Sequence, residues 1–233
     1  MNSMIIFSRH THLDERLPFF ERDHARVFTA LLVYGALTAL EEDRISADTA
    51  YRAALNWPVF IFFLDNFRPR DRILENVLSH SIELDATSRC CGKQAVPPTC
   101  RAIKKKLLRW WTKHMEKGAP SEGSRSKRIT LSAEIPLDDL LGPLRTDDVW
   151  ALISLLLYGT FTALEEEVIP MNVAKGVVLN ERALRFVQSR LQPRNLIYEN
   201  AIARGMKLEG TRADILQTCA QIKADLAGDD WGR

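Results

Sequence analysis

The chain has 233 residues, 46% of them apolar and 27% charged, ordinary globular values that exclude a disordered or collagen-like polymer. Its formal net charge of +2 is too small for an overall nucleic-acid footprint, and no apolar run reaches the ~20 residues that span a bilayer. The charge is unevenly divided. Residues 1–117 hold 18 Lys and Arg against 14 Asp and Glu, residues 118–128 hold 3 against 1, and residues 129–233 hold 11 against 15, so an acidic second half suits a basic partner.

From its start, the chain repeats itself. Tyr34-Gly35-Ala36-Leu37-Thr38-Ala39-Leu40-Glu41-Glu42 returns as Tyr158-Gly159-Thr160-Phe161-Thr162-Ala163-Leu164-Glu165-Glu166. At that one offset, without a gap, residues 5–88 match residues 129–212 in 27 of 84 positions. A fixed-period match of that length marks a duplicated unit. After a five-residue shift near Cys90-Cys91-Gly92-Lys93-Gln94 the match resumes, with Thr99-Cys100, Ile103-Lys104 and Leu107 opposite Thr218-Cys219, Ile222-Lys223 and Leu226. The sequence predicts a mainly α protein of two pseudo-symmetric helical modules, residues 1–117 and 129–233, joined by a Gly-, Pro- and Ser-containing linker at 118–128.

Each module is expected to open on a short extended segment, Met4–Arg9 and Arg128–Glu134, where Ile129, Leu131 and Ala133 alternate with polar neighbours. A turn of helix follows around Leu13–Leu17 and Leu137–Leu141. Asp23 and Asp147 stand as candidate N-caps for a main helix over about 24–42 and 148–166. Its apolar residues occupy most of the circumference, which predicts a central, buried helix. Gly35 and Gly159 fall mid-helix, where Gly costs ~1 kcal/mol relative to Ala. Both copies accept that cost, which points to close approach of another backbone. A second helix is expected at about 46–55, capped by Ser46, with Pro170 in the first turn of its counterpart. Asn56 and Asn180 cap a third, where the copies diverge most: Trp57-Pro58-Val59-Phe60-Ile61-Phe62-Phe63 against Glu181-Arg182-Ala183-Leu184-Arg185-Phe186-Val187. The first version is apolar on nearly every face and needs a cover, for which a homodimer through Trp57, Phe60 and Phe63 is one expectation. Helices containing Glu75-Asn76 and Glu199-Asn200, then closing helices at about 98–117 and 212–227, complete each module.

Candidate chemistry is sparse. All five histidines lie in the first half, and His10-x-His12 lacks a third metal ligand. Cys90, Cys91, Cys100 and Cys219 match no usual zinc spacing and read as reduced thiols of a cytoplasmic protein. The N-terminal Ile5-Ile6-Phe7 meets Arg9, His10 and Asp14 at once, unlike a signal peptide. No metal, cofactor or catalytic set is expected. The polar residues kept in both copies are Tyr34/Tyr158, Glu41/Glu165, Glu42/Glu166, Arg70/Arg194, Glu75/Glu199 and Asn76/Asn200. Acids at a helix C-terminus oppose its dipole, so Glu41 with Arg70 and Glu165 with Arg194 are the expected structural ion pairs. The basic helix at 101–117, with Trp110-Trp111, reads first as a packed terminal helix with a solvated basic face, and nucleic acid is not the expected partner; a surface for nucleic acid or anionic lipid is the alternative.

The repeated phrase, with Leu31-Leu32 (Leu155-Leu156), Ile45 (Ile169) and Glu83-Leu84-Asp85 (Lys207-Leu208-Glu209), resembles a family of small bacterial proteins catalogued as a domain of unknown function, about one module long. Proteins of that kind are similar to immunity proteins of bacterial secreted toxins. The resemblance implies no enzyme, but a protein that binds one cognate toxin or effector, such as a type VI secreted nuclease, and blocks it by stoichiometric occlusion. The expected contact surface is acidic: Asp138, Asp139, Asp147, Asp148, Glu165, Glu166 and Glu167 against a basic cleft. The alternative is a nucleic-acid or membrane-surface adaptor acting through 101–117.

Overall fold

The computed structural model of the protein describes residues 17–19, 21–66, 71–114, 134–191 and 196–228. Of these, 82% are helical and none lies in a strand, which makes the fold mainly α. The expected extended segments fall outside the described residues, apart from Glu134, which is irregular.

After a 3-10 turn at Leu17–Phe19 come α1 (Arg22–Glu41), α2 (Ala47–Ala53), α3 (Trp57–Asn66), α4 (Arg72–Ile82) and α5 (Leu84–Cys91). A second 3-10 turn, Lys93–Ala95, leads into α6 (Val96–His114). The second half contributes α7 (Leu137–Leu141), α8 (Thr146–Glu165), α9 (Met171–Val177), α10 (Glu181–Arg190), α11 (Leu196–Met206) and α12 (Arg212–Gly228). Helices α8 to α11 begin and end 124 positions after α1 to α4, the period of the repeated phrase.

Helices α1 and α8 form the centre. From His24 to Leu40 only Arg26 escapes full burial, and from Val149 to Leu164 only Trp150. Helix α8 is long and apolar enough to cross a membrane by composition, but 83% of that stretch is buried inside the protein, as a core helix requires. The two helices pack on each other, α6 covers α1, and α12 covers α8. One continuous hydrophobic core therefore takes residues from both halves.

The mid-helix glycines explain how α1 and α8 come so close. A Cβ on Gly35 would overlap the Leu155 carbonyl oxygen and stand 2.9 Å from the Gly159 nitrogen. A Cβ on Gly159 would overlap the Leu31 carbonyl and stand 2.7 Å from the Gly35 nitrogen. The backbone each glycine admits is the other half's.

Local signals place the remaining elements. Ser46 accepts a hydrogen bond from Thr49 N at 3.0 Å, Asn56 from Val59 N at 3.1 Å, and Asn180 from Ala183 N at 2.8 Å, each satisfying a free helix-end donor. Helices α1 and α8 start earlier than expected, with Glu21 and Arg145 at the N-cap and Asp23 and Asp147 in the first turn, where a carboxylate still suits the helix dipole. Pro170 is the N-cap of α9 rather than a first-turn residue. Asp43 and Glu167 close α1 and α8 in the left-handed conformation, with φ of 54° and 56°. The chain then turns back, so that Arg44 N reaches Ala39 O at 2.8 Å and Val168 N reaches Ala163 O at 2.7 Å, the Schellman closure. The five extra residues of the first half contribute to α5 and its 3-10 turn, where the second half has only a loop over 207–211.

Candidate functional site

Two of the polar pairs common to both halves, Tyr34/Tyr158 and Glu42/Glu166, meet at the α1–α8 seam. The Tyr34 hydroxyl donates to the Glu166 carboxylate, and the Tyr158 hydroxyl donates to Glu42, so each half supplies the donor for the other's acid. Glu41 turns the other way. It accepts from Lys104 Nζ at 3.2 Å and pairs with Arg101 at 3.1 Å, while Glu165 accepts from Lys223 at 2.8 Å. The two lysines also lie over the shared tyrosines, 5.1 Å from the Tyr34 ring centre and 5.5 Å from that of Tyr158, a cation–π arrangement. Arg70 and Arg194 lie outside the described residues. Among the described residues the cations at these acids are Lys104, Arg101 and Lys223. The signal for the lysines was present in the sequence, since Ile103-Lys104 and Ile222-Lys223 are aligned.

This arrangement holds the halves together and does not activate its groups. Burial, then the Glu166 carboxylate, pushes the Tyr34 hydroxyl far above its ordinary range, and burial with Glu42 does the same to Tyr158. Burial, then the Glu41 charge, pushes the Cys100 thiol up to about 12. Burial with Glu165 pushes Cys219 up to about 11. All four groups keep their protons at neutral pH, and a protonated thiol is a poor nucleophile.

A second polar knot fixes the first half. Asp71 caps α4 through Leu74 N at 3.3 Å, accepts from Arg26 at 2.8 Å, and accepts from Trp110 Nε1 at 2.5 Å. It thereby ties α1, α4 and α6 from a buried position.

The expected acidic surface is largely occupied from within. Arg182 holds Asp138 at 2.6 and 2.9 Å and Asp139 at 3.3 Å, and its hydrogen bonds hold the Asp138 carboxyl below the usual range. Glu165 and Glu166 belong to the seam, and Glu167 pairs with Arg212. Asp147 is exposed and Asp148 half-buried in the first turn of α8. His10 and His12 lie outside the described residues, and among those described no three His, Cys, Asp or Glu side chains gather as a metal site.

Three surface features stand out on the first half. The first is a cleft of about 800 Å³ between the end of α1, the start of α2, α5 and the start of α6, with Asp43, Arg44, Asp48, Asp85 and Lys93 among its walls. The second is on α3. Trp57 is 54% exposed and Ile61, one turn on, is 45% exposed, where α10 has Glu181 and Arg185. The buried positions between them stay apolar: Val59, Phe62 and Phe63 against Ala183, Phe186 and Val187. Phe63 is thus a core residue and unavailable to a dimer; Phe60 is half-buried, with its ring 5.4 Å from that of Trp57. The third is on α6. Ile103, Leu107, Trp110 and Trp111 are buried, and Arg101, Lys105, Arg109 and Lys113 are exposed at four-residue intervals. Like charges at that spacing oppose the helix by about 0.2–0.5 kcal/mol per pair. No family model, curated protein or solved structure matches this chain.

Proposed function

We propose that the protein is a binding protein of the immunity type: two copies of one helical unit, folded on each other, that capture one cognate toxin or effector in the cytoplasm and block it by occlusion. The observation that carries this reading is the exposed Trp57–Ile61 pair on α3, set where the other half has Glu181 and Arg185. Trp is among the residue types enriched at the energetic anchors of protein interfaces, where truncation costs about 2 kcal/mol or more. The tyrosines and paired glutamates that both halves share are engaged within the fold, so the surface differences remain for partner choice. Asp147 and Asp148 would add acidic rim contacts, whose role is to steer a basic partner such as a nuclease and raise its on-rate.

The test is co-expression with the toxin encoded beside the gene. Native protein should protect the cell and elute with the toxin as a one-to-one complex. Trp57→Ala with Ile61→Ala should abolish both while leaving the helical content intact. Absence of protection and of any complex with the native protein would end this reading.

A further inference from the structure

We infer that α6 carries a docking ridge for the phosphate backbone of nucleic acid, a property separate from toxin capture and independent of it. Arg101, Lys105, Arg109 and Lys113 occupy successive turns of one helix and are exposed. They span about 18 Å at 1.5 Å per residue, a length over which one strand of B-form DNA presents about five phosphates. Among the described residues, Lys105, Arg109 and Lys113 have no acid within ion-pair distance, and only Arg101 has one, Glu41. Lys106, beside them, faces His80 at 3.2 Å instead of an acid.

The other half shows what this helix looks like without the ridge. At an offset of 119, the buried Cys100, Ile103 and Leu107 and the half-buried Lys104 align with Cys219, Ile222, Leu226 and Lys223. The exposed ones are stripped, with Arg101, Lys105 and Arg109 opposite Ala220, Ala224 and Gly228. Lys106 stands where α12 has Asp225, which there pairs with Arg204 at 2.7 Å. Packing therefore needs none of these cations.

The helix geometry selects among anionic partners. A membrane-surface helix must sink an apolar face into lipid, but all the large apolar side chains of α6 are turned into the core or partly covered by it. A protein interface requires buried aromatic or aliphatic anchors, and the exposed positions between the cations are Ala102 and Thr112. A regular row of flexible cations with no anchor suits sequence-independent contact with phosphates, whose affinity comes from released counterions.

The experiment is fluorescence anisotropy of a labelled random-sequence DNA duplex with the full chain over a salt series. Four phosphate contacts predict a slope of log K on log salt of about −3.6 for duplex DNA, or a loss of about a hundredfold between 50 and 200 mM. Lys105→Ala should reduce the slope by about 1. The triple variant Lys105→Ala, Arg109→Ala, Lys113→Ala should reduce it to about −1 with unchanged circular dichroism. Lys175→Ala, Arg185→Ala, Lys207→Ala removes as many cations from the other half and should leave binding as it was. Equal loss in both triple variants, duplex binding without salt dependence, no duplex binding by the native chain, or binding to phosphatidylserine vesicles or polyglutamate in its place would each overturn the assignment.

Discussion

A single glycine pair decides how the molecule is assembled. In an ordinary helix interior, Gly→Ala stabilises by about 1 kcal/mol. At Gly35 the added methyl would overlap the Leu155 carbonyl and press on Gly159, rigid backbone that cannot turn aside as a side chain does. Gly35→Ala should therefore invert the usual sign and destabilise by about 3 kcal/mol or more. Gly228→Ala, where a Cβ meets nothing within 4 Å, should be neutral or slightly stabilising. Urea midpoints of the two variants check this, and equal effects would remove the packing argument. The glycines were legible because both copies carry the same unfavourable residue at the same helical position. The ionic partners were less so, because the choice of a cation is made by tertiary packing: among the described residues Glu41 meets Lys104 and Arg101 of α6.

The buried thiols of α6 and α12, beside Glu41 and Glu165, give a pH signature of their packing. Their folded-state pKa values are raised above the ordinary 9.0, to about 12 for Cys100 and about 11 for Cys219. Their contribution is thus complete below pH 9 and lost as pH rises from there toward 11 and 12. Each proton kept only by the folded chain lowers the unfolding free energy by about 1.4 kcal/mol per pH unit. The tyrosines, also raised, add a further loss that begins above their ordinary value of 10.0. Urea midpoints measured upward from about pH 8 should fall from pH 9, and Cys100→Ala with Cys219→Ala should delay that fall. A native midpoint that stays flat to about pH 11 would show that the thiols are not held in this environment.

At the level of elements, α6 and α12 perform the same packing with different surfaces. The row of like charges on α6 works against the helix that bears it. Lys105→Ala with Arg109→Ala breaks all three four-residue pairs and adds two strong helix formers, so the protein should gain about 1 kcal/mol. A calorimetric melting temperature that falls instead would mean that these side chains have partners in the fold. The main helices, their glycines and the caps Ser46, Asn56 and Asn180 could be read from periodicity and residue type alone. Helix α5 could not, because it buries only Leu84 and so has almost no apolar stripe to detect. The starts of α1 and α8 were misplaced because Asp23 and Asp147 favour the first turn as well as the cap itself. The apolar α3 calls for a cover on nearly every face, and the core supplies it for Val59, Phe62 and Phe63 while Trp57 and Ile61 stay outside.

For the whole molecule, the sequence indicated two units but not their relation. A linker at 118–128 fits separate lobes as well as a fused pair, since charge and hydropathy record which residues are buried and not by what. The seam supplies the answer: Tyr34 reaches Glu166, Tyr158 reaches Glu42, and two glycines let α1 and α8 touch at the backbone. Each half buries its longest helix against the other, so neither core is complete alone. The measurement that addresses this most directly is amide hydrogen exchange of the intact chain in rising urea, following peptides from α1 and α8 together. Shared burial requires both helices to open in one step, with the same free energy and the same denaturant dependence. If α8 exchanged freely while α1 stayed protected, or the reverse, the two halves would be independent bodies and the seam would not hold the fold.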